Sequence, residues 1–67
     1  LQNVSMLQKA LAKLSPEKRE VLILSRYQEM KYAAIAELLG CTVEVVKVRV
    51  HRAMNDLRKY YFQFAGE

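Results

Sequence analysis

The sequence predicts an all-α fold, a small four-helix domain spanning residues 1–67. Two observations carry that prediction. Apolar residues recur at three- and four-residue spacing in successive segments, which is the period of one helix face and not the alternation of a half-buried strand. Between those segments stand residues that start or stop helices: Ser15-Pro16, the polar run from Gln28 to Lys31, and Gly40.

The composition agrees with a folded domain, since 52% of residues are apolar and 27% charged, away from the profile of disorder. A chain of 67 residues buries only roughly 60% of its unfolded surface, so the core must be compact. Eleven Lys and Arg against seven Asp and Glu leave a net charge of +4, which favours a polyanionic partner without making a polybasic tail. No apolar run is long enough to span a bilayer and no secretory signal pattern opens the chain, so a cytoplasmic location is expected. Cys41 has no second cysteine to pair with, and with His51 as the lone histidine the soft ligands are too few for a structural zinc site. The chain opens on Leu1 and enters an apolar pattern almost at once, as expected of a fragment of a longer protein.

Val4, Leu7, Leu11 and Leu14 lie on one stripe of a first helix ending near Leu14. Ser15 then offers an N-cap, Pro16 fits the first helical position, and Glu17 and Glu20 sit near the positive end of the dipole. The second helix starts there. Its run Val21-Leu22-Ile23-Leu24 is compatible with a strand by itself, but the cap, the proline and the continuation to about Gln28 favour a largely buried helix at the centre of the bundle. A third helix of about two turns follows from Tyr32, with Ile35, Leu38 and Leu39 on one face. Gly40 ends it as a left-handed residue, and Thr42 caps the fourth. From Val43 to about Tyr61 neither proline nor glycine intervenes, and Val46, Val50, Ala53 and Leu57 form the inner stripe of the longest helix.

Two helices joined by a tight glycine-containing turn make the helix-turn-helix that enters DNA grooves. Ala36 supplies the small residue at the close approach, Gly40 the turn, and Val46 the apolar pin of the second helix on the first. With the Val46 stripe inward, Glu44, Val48, His51, Arg52 and Asn55 fall on the outer side, with Lys47 and Arg49 on the flanks. Between Lys47 and Arg52 this face carries Arg and Lys and no acid, the chemistry that approaches guanine edges or phosphates, and Val48 can touch a thymine methyl.

Three blocks, Leu14-Ser15-Pro16-Glu17-Lys18-Arg19-Glu20-Val21-Leu22, Ile35-Ala36-Glu37-Leu38-Leu39-Gly40-Cys41 with Tyr32 before it, and Val46-Lys47-Val48-Arg49-Val50-His51-Arg52-Ala53 leading to Leu57-Arg58, resemble region 4 of the sigma-70 family, in its short extracytoplasmic-function group. The resemblance runs from about Leu7 to Arg58. It implies a winged-helix-like arrangement without a wing, in which the fourth helix reads the minus-35 element of promoter duplex DNA. It also implies that the first two helices engage the β-subunit flap of RNA polymerase core, with an anti-sigma factor as a further partner. Carried over, the DNA-facing positions are Thr42, Glu44, Lys47, Val48, Arg49, His51 and Arg52, with Lys31 and Tyr32 near phosphates. Ala34 stands where the family often has glutamate, and Val48 where it often has serine or threonine, replacing a hydrogen-bonding group with an apolar one.

The remaining residues read more plainly. Cys41 is expected as a small buried residue and the aromatic tail Tyr60, Tyr61, Phe62 and Phe64 as core packing. Two other functions share parts of the pattern: the output domain of a LuxR-type response regulator, and a helical adaptor whose basic face meets an acidic protein. No carboxylate pair, nucleophile with base, or phosphate-cradling glycine loop points to an enzyme, a cofactor or a small-molecule substrate.

Overall fold

The computed structural model describes residues 2–66. Four α-helices follow in order, α1 (Gln2–Lys13), α2 (Pro16–Leu22), α3 (Tyr32–Leu39) and α4 (Val43–Ala65), with no strand among the described residues. Ser15 caps α2 through its side chain, which accepts from the Lys18 N–H at 3.4 Å, and Pro16 takes the first turn. The all-α expectation and these boundaries hold.

Beyond Leu22 the second helix keeps going but changes its winding. Residues Ile23–Tyr27 form a π-helical turn, in which the Gln28 N–H donates to the Ile23 carbonyl at 2.8 Å. Glu29 then adopts a left-handed conformation with φ of 56° and the Met30 N–H closes on the Leu24 carbonyl at 2.9 Å, turning the chain towards α3. Single π turns of this kind widen a helix locally and redirect the face that follows. Here Leu24 and Met30 turn inward against the core while Ile23 and Tyr27 are left exposed.

The core gathers Leu14, Val21, Leu22, Ile35, Ala36, Val46, Val50 and Ala53, and no polar side chain among the described residues is buried with them. The sequence put the second helix at the centre, but α4 is the element that packs against all three other helices. A helix of 23 residues is about 35 Å long at 1.5 Å per residue, so it alone spans most of the 39 Å long axis and offers each shorter helix a place along its stripe. Three further expectations are corrected. Leu38 is 62% exposed, because an eight-residue helix packed along one line buries Ile35 and Ala36 and turns its neighbour outward. Val4 and Leu7 are also exposed, as among the described residues of α1 Ala10 alone is fully buried, with Leu14 buried just past its end. Helix α4 runs past Tyr61 to Ala65, where Tyr60 packs on the core, the Lys9 ammonium lies 5.9 Å from the Phe64 ring, and Phe62 points outward.

Arg19 joins α2 to the end of α1. Its Nε donates to the Leu11 carbonyl at 3.1 Å and one terminal nitrogen to the carbonyls of Ala12 and Leu14 at 3.3 and 3.0 Å. Those carbonyls lie at the C-terminal end of α1, where a helix runs short of backbone donors, Leu11 alone of the three also accepting from the Leu14 N–H at 3.1 Å, and where the dipole favours a cation. Arg19→Met keeps the apolar stem and removes the fork, so it is expected to cost about 1–2 kcal/mol and lower the thermal midpoint by on the order of 10 °C. Arg19→Lys, which cannot span three acceptors, is expected to recover only part of that loss in a melting experiment.

A second tie links α2 to α4, where the Lys18 ammonium bonds the Asp56 carboxylate. That hydrogen bond holds the Asp56 carboxyl below its ordinary value. A lowered folded-state pKa contributes stability above the unfolded carboxylate range and loses it as pH falls through the folded value. Both side chains are about one-third exposed, so the contribution is small and screened by salt.

Candidate nucleic-acid interface

The site is built from α3, the turn after it and the first half of α4. Gly40 has φ of 70°, and its N–H and that of Cys41 close on the Glu37 and Ala36 carbonyls at 3.4 and 2.9 Å. This is the paired-bond termination that a left-handed C′ residue gives a helix. Two residues later the Thr42 side chain accepts from the Val45 N–H at 3.2 Å and starts α4. Ala36 is buried at the approach of the two helices, and Val46 is buried beneath α4. An added Cβ at Gly40 meets nothing within 4 Å, so the demand for glycine is conformational and not steric. Gly40→Ala is therefore expected to cost about 1–2 kcal/mol, and Gly40→Asn less, when thermal midpoints are compared.

With Val46, Val50 and Ala53 fully inside, the opposite side of α4 faces solvent. Glu44, Lys47, Val48, Arg49, His51 and Arg52 are all exposed on it, as expected from the sequence, and Thr42 is exposed at its start. Lys31 is exposed just before α3, whereas Tyr32 is only half exposed and packs its ring against the core. Glu44 lies in the first turn of α4, where the helix dipole also favours an acid. Cys41 is half buried against the core and is a free thiol. No described group of His, Cys, Asp and Glu is placed to hold a metal, and no helix of the described residues is long and apolar enough to cross a membrane.

Two features escaped the sequence. Arg58, exposed six residues beyond Arg52, extends the basic arc further along α4 and donates to Asn55 Oδ1 at 3.5 Å. An apolar groove of about 470 Å³ runs between α1, the π turn and α4, lined by Leu7, Leu11, Leu22, Ile23, Arg26, Tyr27, Gln28, Met54 and Leu57. Its signal was an excess of apolar residues at Leu7 and Ile23 over what a core this small covers.

A helical domain whose glycine turn seats a long helix with its basic side outward belongs to the helix-turn-helix class. Residues 5–57 match the family model described as Sigma-70, region 4, and the chain belongs to that family, as the resemblance in its sequence implied. It is 42% identical over 53 residues to RNA polymerase sigma factor YlaC of Bacillus subtilis (strain 168), a match covering 79% of this chain and 31% of the relative. It is 34% identical over 61 residues to ECF RNA polymerase sigma factor SigE of Mycolicibacterium smegmatis (strain ATCC 700084 / mc(2)155), covering 91% of this chain and 24% of the relative. The chain thus spans a third or less of the length of these curated relatives. No solved structure is a significant match.

Proposed function

We propose that this chain is the minus-35-reading module of a bacterial sigma factor, acting in the cytoplasm during transcription initiation. The exposed arc of α4 enters the major groove of promoter duplex DNA, and the apolar groove beside α1 seats the β-subunit flap of RNA polymerase core. An anti-sigma factor would compete for these exposed surfaces. The observation that supports the reading best is the acid-free run from Lys47 to Arg52, exposed except for the inward Val50, on a helix fixed by a glycine turn. The major groove is about 12 Å wide and admits an α-helix, whose flanking cations reach phosphates while its central side chains reach base edges.

Selection of bound sequences from random duplexes, with the chain fused to polymerase core, is expected to enrich one short motif. A salt titration of that duplex is expected to give a log-log slope of roughly −3, as phosphate contacts from Lys31, Lys47 and Arg49 require. No enrichment, with salt-dependent binding to an acidic protein instead, would favour the adaptor function.

A further inference from the structure

We infer that Val48 reads a thymine 5-methyl group, making one position of the preferred duplex selective for thymine; this rests on the DNA-binding function proposed above. Setting Val48 at the origin of a wheel of about 100° per residue, the inner residues Val46, Val50, Ala53 and Leu57 cluster about 180° away. Val48 is thus the outermost point of α4 and is 47% exposed. Lys47 and Arg49 lie about 100° to either side, Arg52 and Glu44 within about 40°. All four are exposed. The outermost point of the helix is therefore a short apolar side chain, with Lys47 and Arg49 on its two flanks and Arg52 and the acid Glu44 nearer to it on opposite sides.

In a groove, that symmetry aims Lys47 and Arg49 at the two phosphate walls and leaves Val48 towards the floor. A valine offers neither donor nor acceptor. The major-groove edges of guanine, cytosine and adenine present donors and acceptors and no apolar group larger than a C–H, whereas thymine alone adds a methyl carbon. Opposite thymine, Val48 buries apolar surface against apolar surface. Opposite the other bases it covers a donor or acceptor that loses water and gains no partner. Selectivity then comes from attraction and exclusion together. A lone surface valine is ordinary in itself, but valine is a poorer surface helix former than alanine or lysine, and this one occupies the centre of the basic face.

The test starts from the selected duplex and replaces each thymine in turn with deoxyuridine, which removes the methyl and nothing else. Binding is followed by fluorescence anisotropy with the parent chain, Val48→Ala and Val48→Thr. One deoxyuridine position is expected to weaken the parent about fourfold, the worth of one buried methyl. In Val48→Ala that difference is expected to vanish, while Val48→Thr, which keeps one methyl, retains part of it. Circular dichroism is expected to be unchanged in both variants, since the position is exposed. The inference is overturned if no thymine is methyl-sensitive, or if Val48→Ala keeps the full effect, because another side chain then reads the methyl. A parent that binds all duplexes alike instead refutes the sequence-reading function proposed above, and one that binds none refutes DNA binding altogether, which separates these failures from that of the Val48 inference.

Discussion

Val46→Asp is expected to leave the chain unfolded at room temperature. Val46 is fully buried, at the point where α4 crosses α3 and joins Val50 and Ala53 in the core. No polar side chain is buried among the described residues, so a carboxylate there finds no partner. Placing an unpaired charge in such a site costs at least about 4 kcal/mol, while a single core of this size supplies roughly 3–5 kcal/mol in total. Two companions make the loss specific. Val46→Ala removes only apolar surface and is expected to cost about 2 kcal/mol, lowering the thermal midpoint by about 8–16 °C with the helical spectrum intact. Val45→Asp, one residue away, is expected to be nearly neutral, because Val45 is 38% exposed and lies in the first turn of α4, where the dipole favours an acid. If Val46→Asp melts like the parent and Val45→Asp does not, the register of α4 is shifted by one residue.

That register was legible in the sequence because α4 carries its signals redundantly. Thr42, the acid-free run and the Val46-Val50-Ala53 stripe all give the same inner face, and the structure places it there. Gly40 was legible for a similar reason, since a glycine between two apolar-periodic segments has few other uses. The failures fall where a side chain's position depends on partners far along the chain. Leu38 is chemically indistinguishable from a core residue, and only the short seat that α3 finds on α4 turns it outward. Arg19 sits on α2 as an ordinary surface cation until α1 brings its last carbonyls within 3.0–3.3 Å of the guanidinium. The π turn has no compositional mark at all, because Ile23 to Tyr27 contains neither proline nor glycine and the backbone there is set by how α2 meets α3. The same turn lines the apolar groove, so the apolar excess at Leu7 and Ile23 marked uncovered surface in the sequence but not the shape it would take. For the basic face, by contrast, local periodicity sufficed: every residue assigned to it on α4 is exposed.

Arg52→Ala is expected to weaken binding to the preferred duplex about 5- to 150-fold, the effect of losing roughly 1–3 kcal/mol. Arg52 is exposed one helical turn beyond Val48 and about 40° from the outermost point of α4, where a long cationic side chain reaches the groove floor. If its guanidinium spans the O6 and N7 of a guanine, the loss is confined to duplexes carrying that base pair, and specificity relaxes at one position. Lys47 supplies the contrast, because at about 100° from that point its ammonium is aimed at a groove wall. Lys47→Ala is expected to weaken all duplexes about equally and to make the log-log salt slope shallower by roughly one, the signature of a single phosphate contact. Measuring both variants on the selected duplex and on its single-base variants, at several salt concentrations, separates the two kinds of contact. Equal losses on every duplex from Arg52→Ala would move it to the phosphate class and leave base reading to its neighbours. If neither substitution changes affinity or salt slope, the outer face of α4 does not meet DNA, and an acidic protein partner becomes the better account of its charge.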